Sequence, residues 1–518
     1  MTFRSLVSLA LFAWAGVLPI PADAEVSAWF APSAGKVLHD ARPNPNARTW
    51  DLAAARNETE ACQLVLVSDR PVSGATVSVS RFRHVDGAAE LHPALFKVEY
   101  VPNIVGDTPY PDPLPPLKSL DLQPQRAQPV WISVKVPKDG APGDYTANVL
   151  LEVGEVRVAE YPLRLHVWNF ALPDTPSSAT AFGLGREHIA QQHGVSVDSP
   201  EAAKLYARYY EMLLDHRISA YTIPADLMSD AAAKYLDDPR MTSYQIPYPA
   251  EDAALKALVA RLVERGWYGK GFFYPIDEPE DKPSYDALSR ISDRLRECVP
   301  GHRWIVPFCS NAGWDDQLTP FDLMTNRVNL WCPNSRYFDK QPATRPTLAA
   351  RRRLGEKIWW YVCCVPGEPY NNFFVDMTAM SHRVLLWQQK REDVEGLLYW
   401  NTTYWDSACT QDPWTDMGTV RNIKVKDAAL LRGDGSLFYP GKQAGFDGPV
   451  SSLRLEVIRD GLEDFDYLTL ADARLGKEAT RGFILEIARS LTDYERDPLV
   501  LEKTRRKIGD LLERAPQP

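Results

Sequence analysis

Between Glu25 and about Pro173 the hydrophobic residues follow the alternation of β-strands rather than a helical repeat. The alternation is clearest in the run 132–136, which precedes a turn rich in proline and glycine. A period of two directs one set of side chains into a core and the other into solvent. We therefore predict a β-sandwich over residues 25–175. Its predicted strands are 62–67, 75–80, 129–136, 145–153 and 162–168.

Beyond Thr180 the pattern changes, because short apolar runs alternate with segments of helical period. Strand onsets recur about every 25 to 40 residues, which is the spacing of β–α units. We predict a (β/α)8 TIM-like barrel over residues 176–518, with C-terminal helices at 451–475 and 479–512, so the fold class is multidomain, β followed by α/β. The predicted strands are 181–184, 218–223, 243–246 as the least regular, 272–276, 304–308, 328–331, 358–362 and 397–400.

The N-terminus has the pattern of a targeting segment. Arg4 precedes an apolar run from Leu6 to Ile20, and the following residues 21–24 have the small-x-small form that a signal peptidase cleaves. We predict a signal peptide over residues 1–24, cleaved after Ala24. No later segment reaches the roughly 18 continuous apolar residues of a membrane span. We expect an exported protein, periplasmic or secreted, without an integral membrane segment.

Charge and motifs narrow the possible partners. The chain has 58 basic and 68 acidic residues, so no global basic excess would attract nucleic acid. The seven cysteines form no CxxC pair and the histidines form no HExxH motif, so we predict neither a metal nor another cofactor. Nucleotide-binding loops and a serine nucleophile elbow are also absent from the sequence. The oligomeric state stays open.

Candidate chemistry lies where the predicted strand 272–276 ends on Asp277 and Glu278. In a parallel α/β barrel, catalytic groups occupy the carboxyl ends of strands. A competing interpretation makes Asp277 the N-cap and Glu280 the capping-box acid of a helix that begins near Pro283. That interpretation gives Glu278 no role. Asp277 and Glu278 are therefore the candidate catalytic residues.

Aromatic residues cluster at the later predicted strand ends, and flat rings can stack on sugars or fill cores. A period of two places Trp359 and Tyr361 on one face of their strand and Trp360 on the other. We interpret Trp359 and Trp360 as packing between strands and helices. Positions at or just past strand ends supply the candidate substrate-binding residues, which are Arg186, Tyr361, Trp400 and Trp405.

The run from Phe273 to Pro279 resembles the catalytic signature of the glycoside hydrolase family 123 barrel. The whole mature chain resembles the related proteins grouped under the domain of unknown function 4091. Further stretches that carry the resemblance are Ala55 to Glu60, Gly143 to Tyr145, Gly396 to Trp400, Gly433 to Gly441 and Arg459 to Asp464. The family implies a β-sandwich followed by a barrel, and a glycan as the substrate.

The resemblance also implies an exo-acting, retaining β-N-acetylgalactosaminidase with a substrate-assisted mechanism. Glu278 would be the general acid/base, and Asp277 would orient and stabilise the 2-acetamido group as it attacks the anomeric carbon. Ordinary retaining enzymes place two carboxyl groups about 5 Å apart across the sugar, but here the substrate supplies the nucleophile. Two neighbouring acids at one strand end are then sufficient.

Two alternatives remain open from the residues. A glycosidase that acts on a sugar without an acetamide would need a second, distant carboxylate, for which Asp339, Glu368 and Asp406 are candidates. A non-catalytic carbohydrate-binding protein would use the aromatic residues alone. The intact pair Asp277 and Glu278 argues against the binding protein but not against the other glycosidase.

Overall fold

The computed structural model describes residues 25–154, 156–299, 301–311, 313–314, 318–405, 412–417 and 432–516. The predicted signal peptide lies outside the described residues. The chain is mostly β up to Ala171 and helix-rich from Ala179 onward. Among the described helices, none combines the length and the apolar composition that a membrane crossing requires.

Short and long strands make up the N-terminal region. They are β1 (Val26–Pro32), β2 (Trp50–Arg56), β3 (Glu58–Ser68), β4 (Val72–Val79), β5 (Phe82–His84), β6 (Glu90–Leu91), β7 (Pro93–Lys97), β8 (Tyr100–Val105), β9 (Thr108–Pro111), β10 (Pro113–Leu114), β11 (Leu120–Leu122), β12 (Gln128–Val136), β13 (Gly143–Val153) and β14 (Val156–Ala171). The five strands predicted from alternation fall on β3, β4, β12, β13 and β14.

Two sheets pack against each other in this region. One sheet has the order β1-β3-β12-β7, and the other has the order β11-β4-β13-β14-β2 with β5 beside β13. Alternate side chains such as Leu64, Val134 and Leu163 enter a core that both sheets share. Alternation of buried and exposed residues is found in β4 and β13, whereas β3 is buried on both faces.

The C-terminal region alternates strands with helices. The elements are β15 (Ala179–Phe182), α1 (Arg186–His193), α2 (Pro200–Asp215), α3 (Ala233–Leu236), β16 (Tyr244–Ile246), α4 (Asp252–Glu264), β17 (Gly271–Phe273), α5 (Lys282–Cys298), β18 (Ile305–Phe308), α6 (Pro320–Met324), β19 (Leu330–Pro333), α7 (Tyr337–Lys340), α8 (Thr344–Arg353), β20 (Lys357–Val362), α9 (Ala379–Arg391), β21 (Gly396–Tyr399), β22 (Tyr439–Pro440), β23 (Pro449–Ser452), α10 (Leu453–Arg474), α11 (Lys477–Ile487) and α12 (Pro498–Arg514). The helix predicted over 479–512 is divided in two, because Pro498 begins a new helix that Asp497 caps.

Five strands form one continuous parallel sheet in the order β15-β21-β20-β19-β18. The strands β16 and β17 form a separate parallel pair. A single parallel bridge from Phe273 to Trp304 connects β17 to the edge of the five-stranded sheet beside β18, and another from Phe182 to Ala220 connects β15 to the segment 218–223. Because every pairing is parallel, the carboxyl ends of these strands lie on the same side.

The second predicted strand, 218–223, does not form. Its backbone makes one bridge, at Ala220, because hydroxyl groups occupy the neighbouring hydrogen-bond positions. The amide of Ser219 donates to Thr180 Oγ1 at 2.8 Å, and the amide of Thr242 donates to Ser219 Oγ at 2.8 Å. Side-chain acceptors of this kind compete with a strand ladder. The continuous sheet therefore has five strands, where eight had been predicted to close into a barrel.

Helix α5 begins at Lys282, next to the predicted Pro283, but its N-cap lies one turn after Asp277. Asp281 is its N-cap, and the Asp281 side chain accepts from the amide of Ser284 at 2.9 Å. The Ser284 hydroxyl accepts from the amide of Asp281 in return, which completes a capping box. The interpretation in which Asp277 and Glu280 cap this helix is therefore wrong. Asp277 is free for another role.

Helix α10 lies at the centre of the contact between the two regions. Its residues 453–468 are all buried, including charged residues on several faces. A buried charge is costly unless a partner compensates it. Arg454 accordingly pairs with Asp112 of the N-terminal region at 2.8 Å, and Arg459 pairs with Glu456 within the helix.

Arg505 of α12 extends this network to the sheet β1-β3-β12-β7. Its guanidinium pairs with Glu58 and, at 2.6 Å, with Glu60, both in β3. It also lies 3.3 Å from Asp464 of α10, which in turn pairs with Arg383 of α9 at 2.7 Å. One arginine therefore neutralises acids from both regions of the chain.

We predict that Arg505→Met destabilises the protein by about 3–5 kcal/mol, because it leaves buried carboxylates without a partner. Chemical denaturation followed by tryptophan fluorescence measures the change in the free energy of unfolding. The control is Arg506→Met, since Arg506 is exposed and donates only to backbone carbonyls. Equal stability of the two variants would show that the network is not needed.

Candidate active site

The candidate acids follow β17 on the side where the parallel strands end. Tyr274, Pro275 and Ile276 lead from the strand to Asp277, which is exposed, and to Glu278, which is half-buried. Glu278 has a left-handed backbone with φ of 39°, a conformation that is unfavourable for a residue with a Cβ atom. Strained backbone of this type is found where the surrounding structure holds a functional group in place.

Asp277 is held by a tyrosine from its own strand end. The hydroxyl of Tyr274 donates to Asp277 Oδ1 at 2.6 Å. The Tyr274 ring packs edge-on against Tyr221, with 6.1 Å between the ring centroids. The Tyr221 hydroxyl is buried and has no hydrogen-bond partner among the described residues. The carboxylate of Asp277 therefore lies on the side of the segment 218–223, which carries Tyr221.

Glu278 faces the other way. The hydroxyl of Tyr361, a buried residue of β20, donates to Glu278 Oε1. Burial raises the pKa of Glu278, and the nearby carboxylates of Asp277 and Glu280 raise it further, whereas hydrogen bonds from Tyr361 and Cys309 oppose the change. The two acids are thus adjacent in the chain but have different partners and different environments.

The strand that carries Tyr361 has the predicted two faces. Trp359 and Tyr361 lie in a cluster on the inner side of the sheet, where Trp359 contacts Phe272 edge-on at 5.6 Å between ring centroids. Trp360 lies on the outer side and packs against Phe338 of α7. The interpretation of Trp360 as strand-to-helix packing is correct. Trp359 is also a packing residue, but it packs within the inner cluster and not against a helix.

Trp400 follows β21 and is oriented by Asp434. The indole Nε1 of Trp400 donates to Asp434 Oδ2 at 2.9 Å, and the hydroxyl of Tyr399 donates to Asp434 Oδ1 at 2.8 Å. Complete burial raises the pKa of Asp434 to about 7, although these hydrogen bonds oppose the rise. Two glycines allow the close packing, because a Cβ atom at Gly183 or Gly435 would lie within 2.4 Å of Trp400.

The other two predicted contact residues lie apart from the acids. Trp405 is fully buried, and its ring packs edge-on against Tyr209 of α2 at 5.9 Å between centroids, so burial argues against a sugar contact. Arg186 is exposed at the first residue of α1. It lines a cavity of about 570 Å³ whose lining includes neither Asp277 nor Glu278. The structure therefore brings together Asp277, Glu278 and Tyr361.

Three residues of the site escaped the sequence analysis. Tyr274 stands three positions before Asp277 in the same motif, so its hydroxyl could have been considered. Asp434 lies in a stretch that carries the family resemblance, with glycines on both sides. Tyr221 has no local signal, because its position depends on the segment that replaces the second predicted strand.

The described part of the chain has no group of three or more His, Cys, Asp or Glu residues that could hold a metal ion. Its cysteines carry free thiols, three of which (Cys309, Cys363 and Cys364) are half-buried. Cys409 and the candidate nucleophile Asp406 lie outside the described residues. Of the other acids considered as a distant nucleophile, Asp339 pairs with Arg345 at 2.9 Å and Glu368 is exposed.

Among the solved structures that match, one covers nearly the whole chain. It is a family 123 glycoside hydrolase from Clostridium perfringens, studied for glycolipid glycan hydrolysis, with a TM-score of 0.68, 14% identity and coverage of 94% of this chain and 97% of that chain. A Bacteroides cellulosilyticus family 39 glycoside hydrolase matches with a TM-score of 0.31, 8% identity and coverage of 79% and 81%, which is too weak to support an argument. No curated protein matches the chain.

Family models match both regions of the chain. The model of the glycoside hydrolase 123 N-terminal domain matches residues 38–153. The model of the glycoside hydrolase 123 catalytic domain matches residues 206–471, which are just over half of the chain and include the acid pair and Tyr361. The chain therefore belongs to glycoside hydrolase family 123 and is a glycoside hydrolase.

Proposed function

We propose that the protein is an exported, retaining exo-β-N-acetylgalactosaminidase that uses the 2-acetamido group of its substrate as the nucleophile. One observation carries the proposal: adjacent acids at one strand end are bound by different tyrosines, Asp277 by Tyr274 and Glu278 by Tyr361. Two acids on neighbouring residues cannot face each other across a sugar ring as in an ordinary retaining enzyme. A nucleophile that belongs to the substrate removes that requirement.

In the first step, Glu278 gives its proton to the glycosidic oxygen while the acetamide oxygen attacks the anomeric carbon. The bond to the leaving group breaks, and an oxazolinium ion forms on the sugar. Asp277 binds the acetamide N–H and stabilises the positive charge that develops there. In the second step, ionised Glu278 takes a proton from water, and the water attacks the anomeric carbon from the face that the leaving group left. The bond between the anomeric carbon and the acetamide oxygen breaks, and the acetamide is restored. The product keeps the β-configuration.

The environment of the two acids supports this division of roles. A general acid must hold its proton at the working pH, and burial together with the neighbouring carboxylates raises the pKa of Glu278. Asp277 is exposed and accepts a hydrogen bond from Tyr274, so its carboxyl group is accessible to the acetamide of a substrate. Tyr361 acts on Glu278, and Trp400 and Arg186 remain the candidate sugar-binding residues on the same side of the sheet.

We also infer a (β/α)8 arrangement of the catalytic region. Two single bridges support it: the bridge from Phe182 to Ala220 connects one edge of the five-stranded sheet to the segment 218–223, and the bridge from Phe273 to Trp304 connects β17 to the other edge. The amide of Gln245 donates to the carbonyl of Tyr221 at 2.8 Å and spans the remaining gap. The segment 218–223 would then take the position of the second strand.

The two acids should respond differently to mutation. Glu278→Gln should severely reduce the rate at which natural glycans are hydrolysed. It should have little effect on the first step with substrates that carry activated aryl leaving groups, because a good leaving group needs little protonation. Asp277→Asn should reduce the rate by about 10² to 10³ on both kinds of substrate, which is the effect of one lost electrostatic contact in the transition state. Steady-state kinetics on one activated and one unactivated N-acetylgalactosaminide measures this contrast.

The stereochemistry of the product separates the proposal from the alternative glycosidase. NMR should detect the β-anomer first, and thiazoline mimics of the cyclised intermediate should bind far more tightly than the substrate. Aryl glycosides that lack the 2-acetamido group should be poor substrates. An inverted product, an innocuous Asp277→Asn variant, or equal turnover of substrates without the acetamide would each contradict substrate assistance.

Tyr361→Phe should move the alkaline limb of the activity profile to higher pH. The Tyr361 hydroxyl stabilises ionised Glu278 and so lowers its pKa, and removal of the hydroxyl should therefore raise that pKa. The measurement is kcat/KM between about pH 4 and pH 9. Tyr274→Phe is the matched control, since that hydroxyl binds Asp277 instead. An unmoved limb, or a limb at lower pH, would remove Glu278 from the role of acid.

The proposal that the protein is exported is based on the signal-peptide pattern of residues 1–24 alone. We expect the mature protein to begin at Glu25, because the small-x-small site ends at Ala24. Mass spectrometry of the protein from the periplasm or the medium of an expressing bacterium measures the terminus. An uncleaved chain that is retained in the cytoplasm would contradict the localisation.

A further inference from the structure

If the proposed function holds, the acid pair indicates on which side of the site the leaving group binds. Asp277 faces Tyr274 and Tyr221, whereas Glu278 faces Tyr361 of β20 and Cys309, which directly follows β18. The acid that protonates the glycosidic oxygen must lie beside the leaving group. The leaving group is therefore expected over the loops that follow β18 and β19.

The loop after β18 presents an aromatic surface. The side chain of Trp314 is 41% exposed, a high value for tryptophan, while its ring contacts Tyr285 of α5 edge-on at 5.3 Å between centroids. The amide of Gly313 donates to the carbonyl of Glu280 at 2.8 Å and fixes this loop beside the acid pair. The nearby indole face is therefore held in place and open to a ligand.

The loop after β19 presents an arginine without an acidic partner. Arg336 is half-buried, its Nε is inaccessible to solvent, and it makes neither a side-chain hydrogen bond nor an ion pair within the part of the chain that the structure describes. Arg345 in the next helix instead pairs with both Asp339 and Glu392. An unpaired guanidinium stands out in a protein with a formal net charge of −10.

Arg336 directly follows a contact with the strand of Tyr361, since the amide of Ser335 donates to the carbonyl of Tyr361 at 3.0 Å and the Tyr361 hydroxyl donates to Glu278. Burial raises the pKa of Cys309 to about 11, Glu278 raises it as well, and Arg336 opposes the rise. The two loops also contact each other, since the Tyr337 hydroxyl donates to Asn311 Oδ1 at 2.8 Å. Trp314 and Arg336 therefore lie on two neighbouring loops, each of which contacts the segment or the strand that holds Glu278, and we treat these loops as one wall of the candidate site.

We propose that this wall binds a second sugar ring, the leaving group, which stacks on Trp314 and carries a carboxylate or sulfate that Arg336 binds. A flat indole face suits the apolar face of a pyranose. A guanidinium has two parallel N–H donors that match the two oxygens of a carboxylate or a sulfate. The substrate class is then an acidic glycan in which β-N-acetylgalactosamine is attached to a uronic acid or to a sulfated sugar.

The test compares leaving groups that differ only in charge. The substrates are disaccharides in which β-N-acetylgalactosamine is linked to glucose or glucuronic acid, and to galactose or galactose 6-sulfate. The glycosyl fluoride of N-acetylgalactosamine has no second ring and is the reference for each variant. Wild-type enzyme should prefer one or both acidic disaccharides over the neutral counterpart by about tenfold in kcat/KM, the effect of one charged hydrogen bond. The acid that is preferred identifies carboxylate or sulfate as the ligand.

The variants assign the preference to the two residues. Arg336→Gln should bring the ratio of kcat/KM for the acidic and the neutral disaccharide close to one. The control is Arg353→Gln, which should leave this ratio as in wild type, since Arg353 is exposed in the last turn of α8. Trp314→Ala should reduce kcat/KM for all disaccharides relative to the fluoride, and Trp314→Phe should restore part of it. Thermal unfolding of each variant checks that it folds.

Each result has a separate meaning. Wild-type enzyme that hydrolyses the fluoride but shows no preference for either acidic disaccharide overturns the subsite and leaves the proposed function intact. A preference that survives Arg336→Gln, or a Trp314→Ala loss that is equal on the fluoride, also overturns it. Wild-type enzyme that fails on the fluoride overturns the proposed function, and the subsite with it.

Discussion

The compensation of buried charge in α10 is the constraint on which the rest of the structure depends. This helix is buried over 453–468 and carries acids and arginines that water cannot reach. Every such charge needs a partner from another segment, so the helix fixes the positions of the segments around it. Arg454 recruits Asp112 from the N-terminal region, and Asp464 recruits Arg383 and Arg505. The stretches 55–60 and 459–464, which carry part of the family resemblance, meet at this junction.

The same helix reaches the active site through Arg454. Its guanidinium donates to the carbonyls of Phe373 at 2.9 Å and Gly433 at 2.7 Å. Gly433 precedes Asp434, the carboxyl that orients Trp400. A residue of the interregional contact thus supports a side chain beside the catalytic strand ends. This arrangement gives the N-terminal region a supporting role for the candidate site, although none of its described residues contributes to the pair Asp277 and Glu278.

Local features of the chain were predictable from the sequence, and distant ones were not. Strand period and strand ends predicted the N-terminal strands, the position of Asp277 and Glu278 after a strand, and the shared face of Trp359 and Tyr361, because each depends on neighbouring residues only. Asp434 binds the indole of Trp400 although the two residues are far apart in the sequence, and no local sequence pattern predicts such a contact. Trp405 follows a strand end, but its ring is buried against Tyr209 of α2, and this tertiary contact is not visible in the local sequence. At 218–223 hydroxyl acceptors replaced ladder bonds, which a hydrophobic pattern cannot show.

The left-handed backbone of Glu278 has an evolutionary consequence. Glycine or asparagine would adopt a φ of 39° with less strain, so the stability of the fold alone would favour replacing the acid, by about 1 kcal/mol. Under the proposed role of Glu278 as general acid/base, selection for turnover keeps glutamate at this position. In a lineage where that selection lapses, this residue would be among the first to change. Its identity in a homologue is therefore a sensitive marker of whether that homologue still cleaves glycans.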